Sequence, residues 1–158
     1  MLLIDGYNLL HVSGVFPEGG PPTLERSRGA LLDALAERLP ARLLARTMVV
    51  FDAVGAPPGL PRELTHRGLA VRFARRGGTA DELLEELIAA ATDPRNLLVV
   101  SSDHRVQRAA RQRGAEFSDS ESWWRELQHE PADDDSTEEK TALPDNPFPP
   151  GYGRDLLG

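Results

Sequence analysis

The fold class predicted by the sequence is α/β: a three-layer α/β/α sandwich with a mainly parallel central sheet. Three observations predict it. Leu2 to Ile4, Met48 to Phe51, Leu69 to Phe73 and Leu97 to Val100, with Ala115 to Phe117 a weaker fifth, are short apolar runs bounded by turn or polar residues. Apolar residues between these runs recur at helical spacing. Signals for tight hairpins are few, so strands that are apolar throughout alternate with helices, as in a parallel sheet covered on both faces.

Leu2 to Ile4 runs into Asp5, Gly6, Tyr7 and Asn8 and then directly into Leu9 and Leu10. Leu24, Leu31, Leu32, Leu35 and Leu39 form the apolar stripe of a helix that leads to the second strand. Residues 53–67 carry Pro57, Pro58, Gly59 and Pro61 without helical periodicity, and read as a loop. After the third strand, Thr79-Ala80-Asp81-Glu82 matches a capping box that opens a helix with Leu84, Leu87, Ile88 and Ala91 on its apolar face. Val106, Ala109 and Ala110 mark the helix after the fourth strand.

The 158 residues, 40% of them apolar, suffice for one compact core, assigned to residues 1–128. Residues 129–158 form an acidic, Pro-rich tail with Asp133, Asp134, Asp135, Glu138 and Glu139, too polar to fold alone. Its end, with Phe148, Tyr152, Leu156 and Leu157, suits a strap over the chain's own domain, a docking peptide for a protein partner, or a disordered terminus. The absence of cysteine excludes disulfides, thiolate zinc sites and cysteine nucleophiles. No apolar run approaches the ~18 residues of a membrane span, and no signal peptide is evident. The expectation is a soluble cytoplasmic protein with no membrane partner.

A net charge of −7 argues against a nucleic-acid partner, but its distribution weakens that argument. Residues 1–128 hold 16 basic and 17 acidic side chains, whereas residues 129–158 hold 2 and 8. Arg75 with Arg76, and Arg105, Arg108, Arg111 and Arg113, form local basic clusters suited to phosphate.

Function in an open parallel sheet collects at the carboxyl ends of the strands, and three of those ends carry aspartate. Asp5 closes the first strand, Asp52 the second, and Asp103 follows Ser101 and Ser102 after the fourth. Asp81 lies in the first turn of a helix, with Glu85 one turn on. Taken singly, Asp103 reads as a helix N-cap, Asp52 as the start of a turn and Glu85 as a solvated helix face. If Asp5, Asp81 and Asp103 converge, each pair ~5 Å apart repels by ~3 kcal/mol at an effective dielectric of about 20. A cation or a held proton must then offset that repulsion. Oxygen ligands completed by water suit Mg²⁺ or Mn²⁺, whose chemistry is attack of water on a phosphodiester.

LLIDGYNLL, VVFDA, GTADELLEELI and VVSSDHRVQRAARQRGAEF, in that order over residues 2 to about 128, resemble the YacP-like branch of the NYN domain, within the PIN-like nuclease group. The resemblance implies a PIN-like α/β/α sandwich and divalent-metal-dependent endoribonuclease activity, with Asp5, Asp81 and Asp103 as acidic ligands. Asn8, in the first block, is placed with the catalytic set, where its amide would position Asp5, a metal-bound water or a phosphate; its alternative is a helix cap. Glu85 would reach the metal through water. Asp52 and Ser102 are secondary candidates, Ser102 either donating to a phosphate or capping a helix. Arg75, Arg76, Arg105 and Arg108 would flank the acidic pocket and hold RNA, while Arg111 and Arg113 read as a solvated face. His11 and His104 are left out of the site.

The leading expectation is therefore an Mg²⁺- or Mn²⁺-dependent endoribonuclease acting on single-stranded RNA, with ribosome-associated cleavage of messenger RNA as a setting the resemblance implies. The alternative is a catalytically silent RNA- or ribosome-binding module of the same fold. A small phosphohydrolase ranks last, because the first strand ends in DGYN and lacks the paired aspartates of haloacid-dehalogenase-like phosphatases.

Overall fold

A computed structural model describes residues 1–21, 23–53 and 62–129. The acidic tail, apart from His129, and residues 54–61 of the loop lie outside the described residues. In chain order the elements are β1 (Leu2–Asp5), α1 (Gly6–Ser13), α2 (Leu24–Arg38), α3 (Ala41–Leu44), β2 (Thr47–Phe51), β3 (Glu63–His66), β4 (Leu69–Phe73), α4 (Ala80–Ala90), β5 (Leu98–Val100), α5 (His104–Arg113), β6 (Glu116–Ser118) and α6 (Ser120–His129). The sheet order is β3-β4-β2-β1-β5-β6, parallel except for the β3–β4 pair. Among the described residues no helix is long and apolar enough to cross a membrane.

Alternation along β1 divides the core. Leu2 and Ile4 pack with α1, α2 and α6, including Leu9, Leu31, Leu35 and Trp123. Leu3 packs on the other face with Leu84 and Ile88 of α4 and Val106 and Ala110 of α5. Helices thus cover both faces, as strands apolar on both sides require. Asp5 has the parity of Leu3, so the pleat turns it toward the side on which α4 and α5 begin.

From β1 the chain passes to β2 and then β4 on one side, and α4 carries it back to β5 on the other. Strand order therefore reverses between β1 and β5. The carboxyl-end crevice at such a reversal is where open α/β sheets bind ligands.

The expected loop over residues 53–67 is corrected in its last part. Glu63–His66 forms an edge strand, joined to β4 by the two-residue turn Arg67-Gly68. Both turn residues have positive φ, 51° and 93°, as a type I′ hairpin turn demands. Arginine is an uncommon first residue for that turn, and the signal is correspondingly faint. α6 is a further element that the apolar periodicity does not single out; it buries Trp123 and Leu127 beside α1.

Gly6 has a packing reason. A Cβ there would collide with the Phe51 ring, so the step from β1 into α1 can pass β2 closely only without a side chain. Tyr7 then lies against Phe51, ring centroids 4.8 Å apart.

Candidate active site

Asp5 ends β1 and is buried, 5% exposed. One step beyond the last β1–β5 pair, Ile4 with Val100, stands Ser101, which is fully buried. Its hydroxyl donates to Asp5 Oδ2 (2.9 Å) and accepts from the Asp103 N–H (3.1 Å), so one side chain ties the ends of both strands together. Gln107 Nε2, on the first turns of α5, donates to the Ser101 carbonyl (2.8 Å) and fixes that turn from behind.

Asp103 does what an N-cap does: its Oδ1 accepts from the Arg105 N–H at 2.8 Å. The cap orients the carboxyl at the head of α5. α4 begins with the expected capping box, Thr79 Oγ1 accepting from the Glu82 N–H and Glu82 Oε1 from the Thr79 N–H, each 3.2 Å. Glu82 is thereby committed to the helix end, and Asp81, beside it, is left for the pocket.

The three aspartates act on one another. Burial pushes the Asp5 carboxyl up to about 6 from an ordinary 3.8; the Ser101 hydroxyl and Asn8 N–H oppose this, and the charges of Asp81 and Asp103 add to it. Asp81 is raised by burial, then by a hydrogen bond with Asp103 and by that group's charge, while Arg105 opposes the rise. The Asp103 carboxylate thus disfavours a second charge on Asp81, a repulsion that a cation between them would relieve.

Glu85 and Arg105 meet each other. Arg105 Nε and one terminal nitrogen grip the two Glu85 oxygens at 2.8 Å each, a bidentate pair that holds Glu85 below its usual range. One residue expected near the metal and one expected on RNA thus neutralise each other at the rim. Arg75, Arg76 and Arg108 are exposed, the first two in the turn before α4.

Asn8 and Ser102 form a latch. Asn8 Oδ1 accepts from the Ser102 N–H (2.8 Å) and the Ser120 hydroxyl (2.6 Å), and Ser102 Oγ accepts from the Ser120 N–H (3.0 Å). These bonds pin the start of α1, the β5–α5 turn and the start of α6 to one another. Asp52, half-buried after β2, faces Tyr7 and adds its charge to the burial that raises the phenol. Tyr7 Oη accepts from buried Arg28 (3.1 Å), whose guanidinium lies over the Phe73 ring at 5.1 Å.

Sequence reasoning passed over Ser101, Ser120 and Gln107 as functional supports. For Ser101 a signal existed, a small hydroxyl at a strand end immediately before two candidate residues. Ser120 and Gln107 have no such mark, because their partners are distant in sequence.

The donor set is all oxygen, which suits a hard dication. Among the described residues no group of three acidic or histidine side chains stands close enough, as oriented, to enclose a metal. A cation that keeps most of its water needs only one or two carboxylates, and this pocket offers those.

The profile of the YacP-like NYN domain matches residues 2–147. The chain belongs to that family. It is similar to the uncharacterized protein YacP of Bacillus subtilis (strain 168), 31% identical over 116 residues that cover 73% of this chain and 67% of that protein. Two crystal structures of Rae1 (YacP) from Bacillus subtilis, one of them a point mutant, align with TM-scores of 0.57. The mutant is 25% identical, with 90% of this chain and 79% of that chain covered; for the other the values are 27%, 91% and 78%. NYN domains are part of the PIN-like nuclease superfamily, so the family sets the functional class as nuclease-like and RNA-related.

Proposed function

We propose that this YacP-like NYN protein is a divalent-metal-dependent endoribonuclease that hydrolyses phosphodiester bonds of single-stranded RNA in the cytoplasm, with RNA presented on a ribosome as its natural setting. The observation that carries the reading is the convergence of Asp5, Asp81 and Asp103, from three separate parts of the chain, in a crevice that raises the first two carboxyl pKa values. Such a pocket is electrostatically unfinished until a cation enters.

Of Asp5, Asp81 and Asp103, one or two would hold Mg²⁺ or Mn²⁺ directly and the remainder through its water; such an ion would polarise a phosphoryl oxygen and acidify water. Ser101 holds Asp5 in place across the two strand ends, and its link to the Asp103 N–H fixes the turn that carries Asp103. Arg105 tempers the charge on Asp81. Glu85 serves to orient Arg105 as well as to shape the rim.

A second reading, a silent RNA-binding module, draws on the spacing of the carboxylates, which do not enclose a three-ligand site as oriented. Incubation of labelled single-stranded RNA with Mg²⁺ or Mn²⁺, and with chelator, separates the two. The nuclease reading expects metal-dependent internal cleavage, abolished in folded Asp5→Asn and Asp103→Asn variants, and enhanced on messenger RNA in translating ribosomes. RNA binding with no cleavage in either the naked or ribosomal setting would instead establish the module.

A further inference from the structure

On the opposite side of the first turn of α4 from Asp81 lies a cavity of about 160 Å³ whose walls include Arg62, Arg72, Phe73, Arg75, Gly78 and Glu82. Its three arginines come from three places: Arg62 just before β3, Arg72 within β4, and Arg75 in the turn into α4. The backbone gathers them. Phe73 N–H donates to the Arg62 carbonyl (2.8 Å), and Gly78 N–H donates to the Arg75 carbonyl (2.7 Å), closing the turn that carries Arg75.

The carboxylates nearby are largely spoken for. Arg72 Nε pairs with Glu63 (3.1 Å), and Glu82 accepts from the Thr79 N–H as half of the capping box. Glu86 stands one turn further along, exposed at the rim. Among the described residues neither Arg62 nor Arg75 has an ion-pair partner, and both are exposed.

Helical geometry separates this cavity from the acidic pocket. Thr79, Glu82, Leu83 and Glu86 recur at the spacing of one helix face, while Asp81 and Glu85 share another, turned toward α5. A helix with its side chains is ~10–12 Å across, so the two sites lie about that far apart around the start of α4. A strand crossing the head of α4 would meet cationic forks on one side and the acidic crevice on the other.

We infer that the Arg62–Arg72–Arg75 cavity binds a backbone phosphate of the RNA strand adjoining, but distinct from, the phosphate at the acidic crevice. The inference rests on the RNA substrate proposed above and adds where the strand is held. Planar guanidinium groups from several directions match the tetrahedral oxygens of a phosphate. Arg105, gripped by Glu85, leaves this side of α4 as the better anchor.

The test is fluorescence anisotropy of a short fluorescein-labelled single-stranded RNA, in chelator so that nothing is cleaved, across a salt series. The Arg62→Ala/Arg75→Ala double variant should bind roughly 10-fold more weakly, with a salt slope shallower by about 0.7, as expected when one phosphate contact on a single strand is lost. The Arg62→Lys/Arg75→Lys variant should retain the slope, since the charges remain. Unchanged affinity and slope in the alanine variant would overturn the inference, as would a wild-type protein that binds no RNA. Arginine-dependent binding by a wild-type protein that cleaves nothing in Mg²⁺ or Mn²⁺ would support the cavity and count against the nuclease reading.

Discussion

Two polar clusters at the carboxyl edge of the sheet, built from neighbouring residues, are treated in opposite ways. In the latch of Asn8, Ser102 and Ser120, short hydrogen bonds pair the Asn8 carbonyl, two hydroxyls and two backbone N–H groups. In the pocket beside it, Asp5, Asp81 and Asp103 repel one another, and the buried Asp5 carboxyl is pushed up to about 6. The satisfied cluster lowers the energy of the fold; the other raises it. Charge gathered next to groups that the same turns satisfy is the contrast on which the proposed site rests.

Replacement of Asp5 should separate these clusters most sharply. Asp5→Asn is expected to reduce metal-dependent RNA cleavage about 100-fold or more, the scale of losing a ligand or its immediate support. Stability should move the other way. With its folded pKa raised, Asp5 contributes stability below the unfolded value near 4 that is lost as pH rises through about 6. At neutral pH without metal, the asparagine variant should therefore be more stable than wild type by about 2–3 kcal/mol, converging with it as pH falls toward 4. Denaturant melts at several pH values check this, and equal stability above pH 6 would break the contrast.

Asn8→Ala should do the reverse. Removal of its carbonyl leaves the Ser102 N–H and Ser120 hydroxyl without that acceptor, costing about 2 kcal/mol at every pH. A pH-dependent loss in the same melts would place Asn8 in the charged cluster instead of the latch.

The smallest effect on stability belongs to Arg105→Ala. Its pair with Glu85 is exposed, and such pairs add little to stability. Because Arg105 lowers the Asp81 pKa, its removal should carry the acid limb of the pH–rate profile to higher pH. An unmoved limb would show that the Glu85 carboxylate already cancels Arg105 at the pocket.

Much of this arrangement could be read before any coordinates. The apolar runs ending at Asp5 and before Asp103 announce strand ends, and Thr79 with Glu82 announces the helix that carries Asp81. β3 escaped because its turn uses Arg67, not the usual asparagine or glycine, and because an edge strand needs no continuous apolar run. The Glu85–Arg105 pair escaped because it joins two helices 20 residues apart, and sequence periodicity reports only contacts along one element.

What the sequence determined by itself is local: period-2 and helical patterns and the caps, since each follows from a few adjacent residues, whereas the need for Gly6 comes from Phe51 on another strand. Only the tertiary structure decided the rest. Sheet order set β1 beside β5, the pleat turned Asp5 toward α4 and α5, and distant hydroxyls, amides and guanidiniums were then assigned to satisfying one carboxylate and leaving another strained. Burial and Coulomb repulsion depend on distances through space, and those are settled when the chain packs.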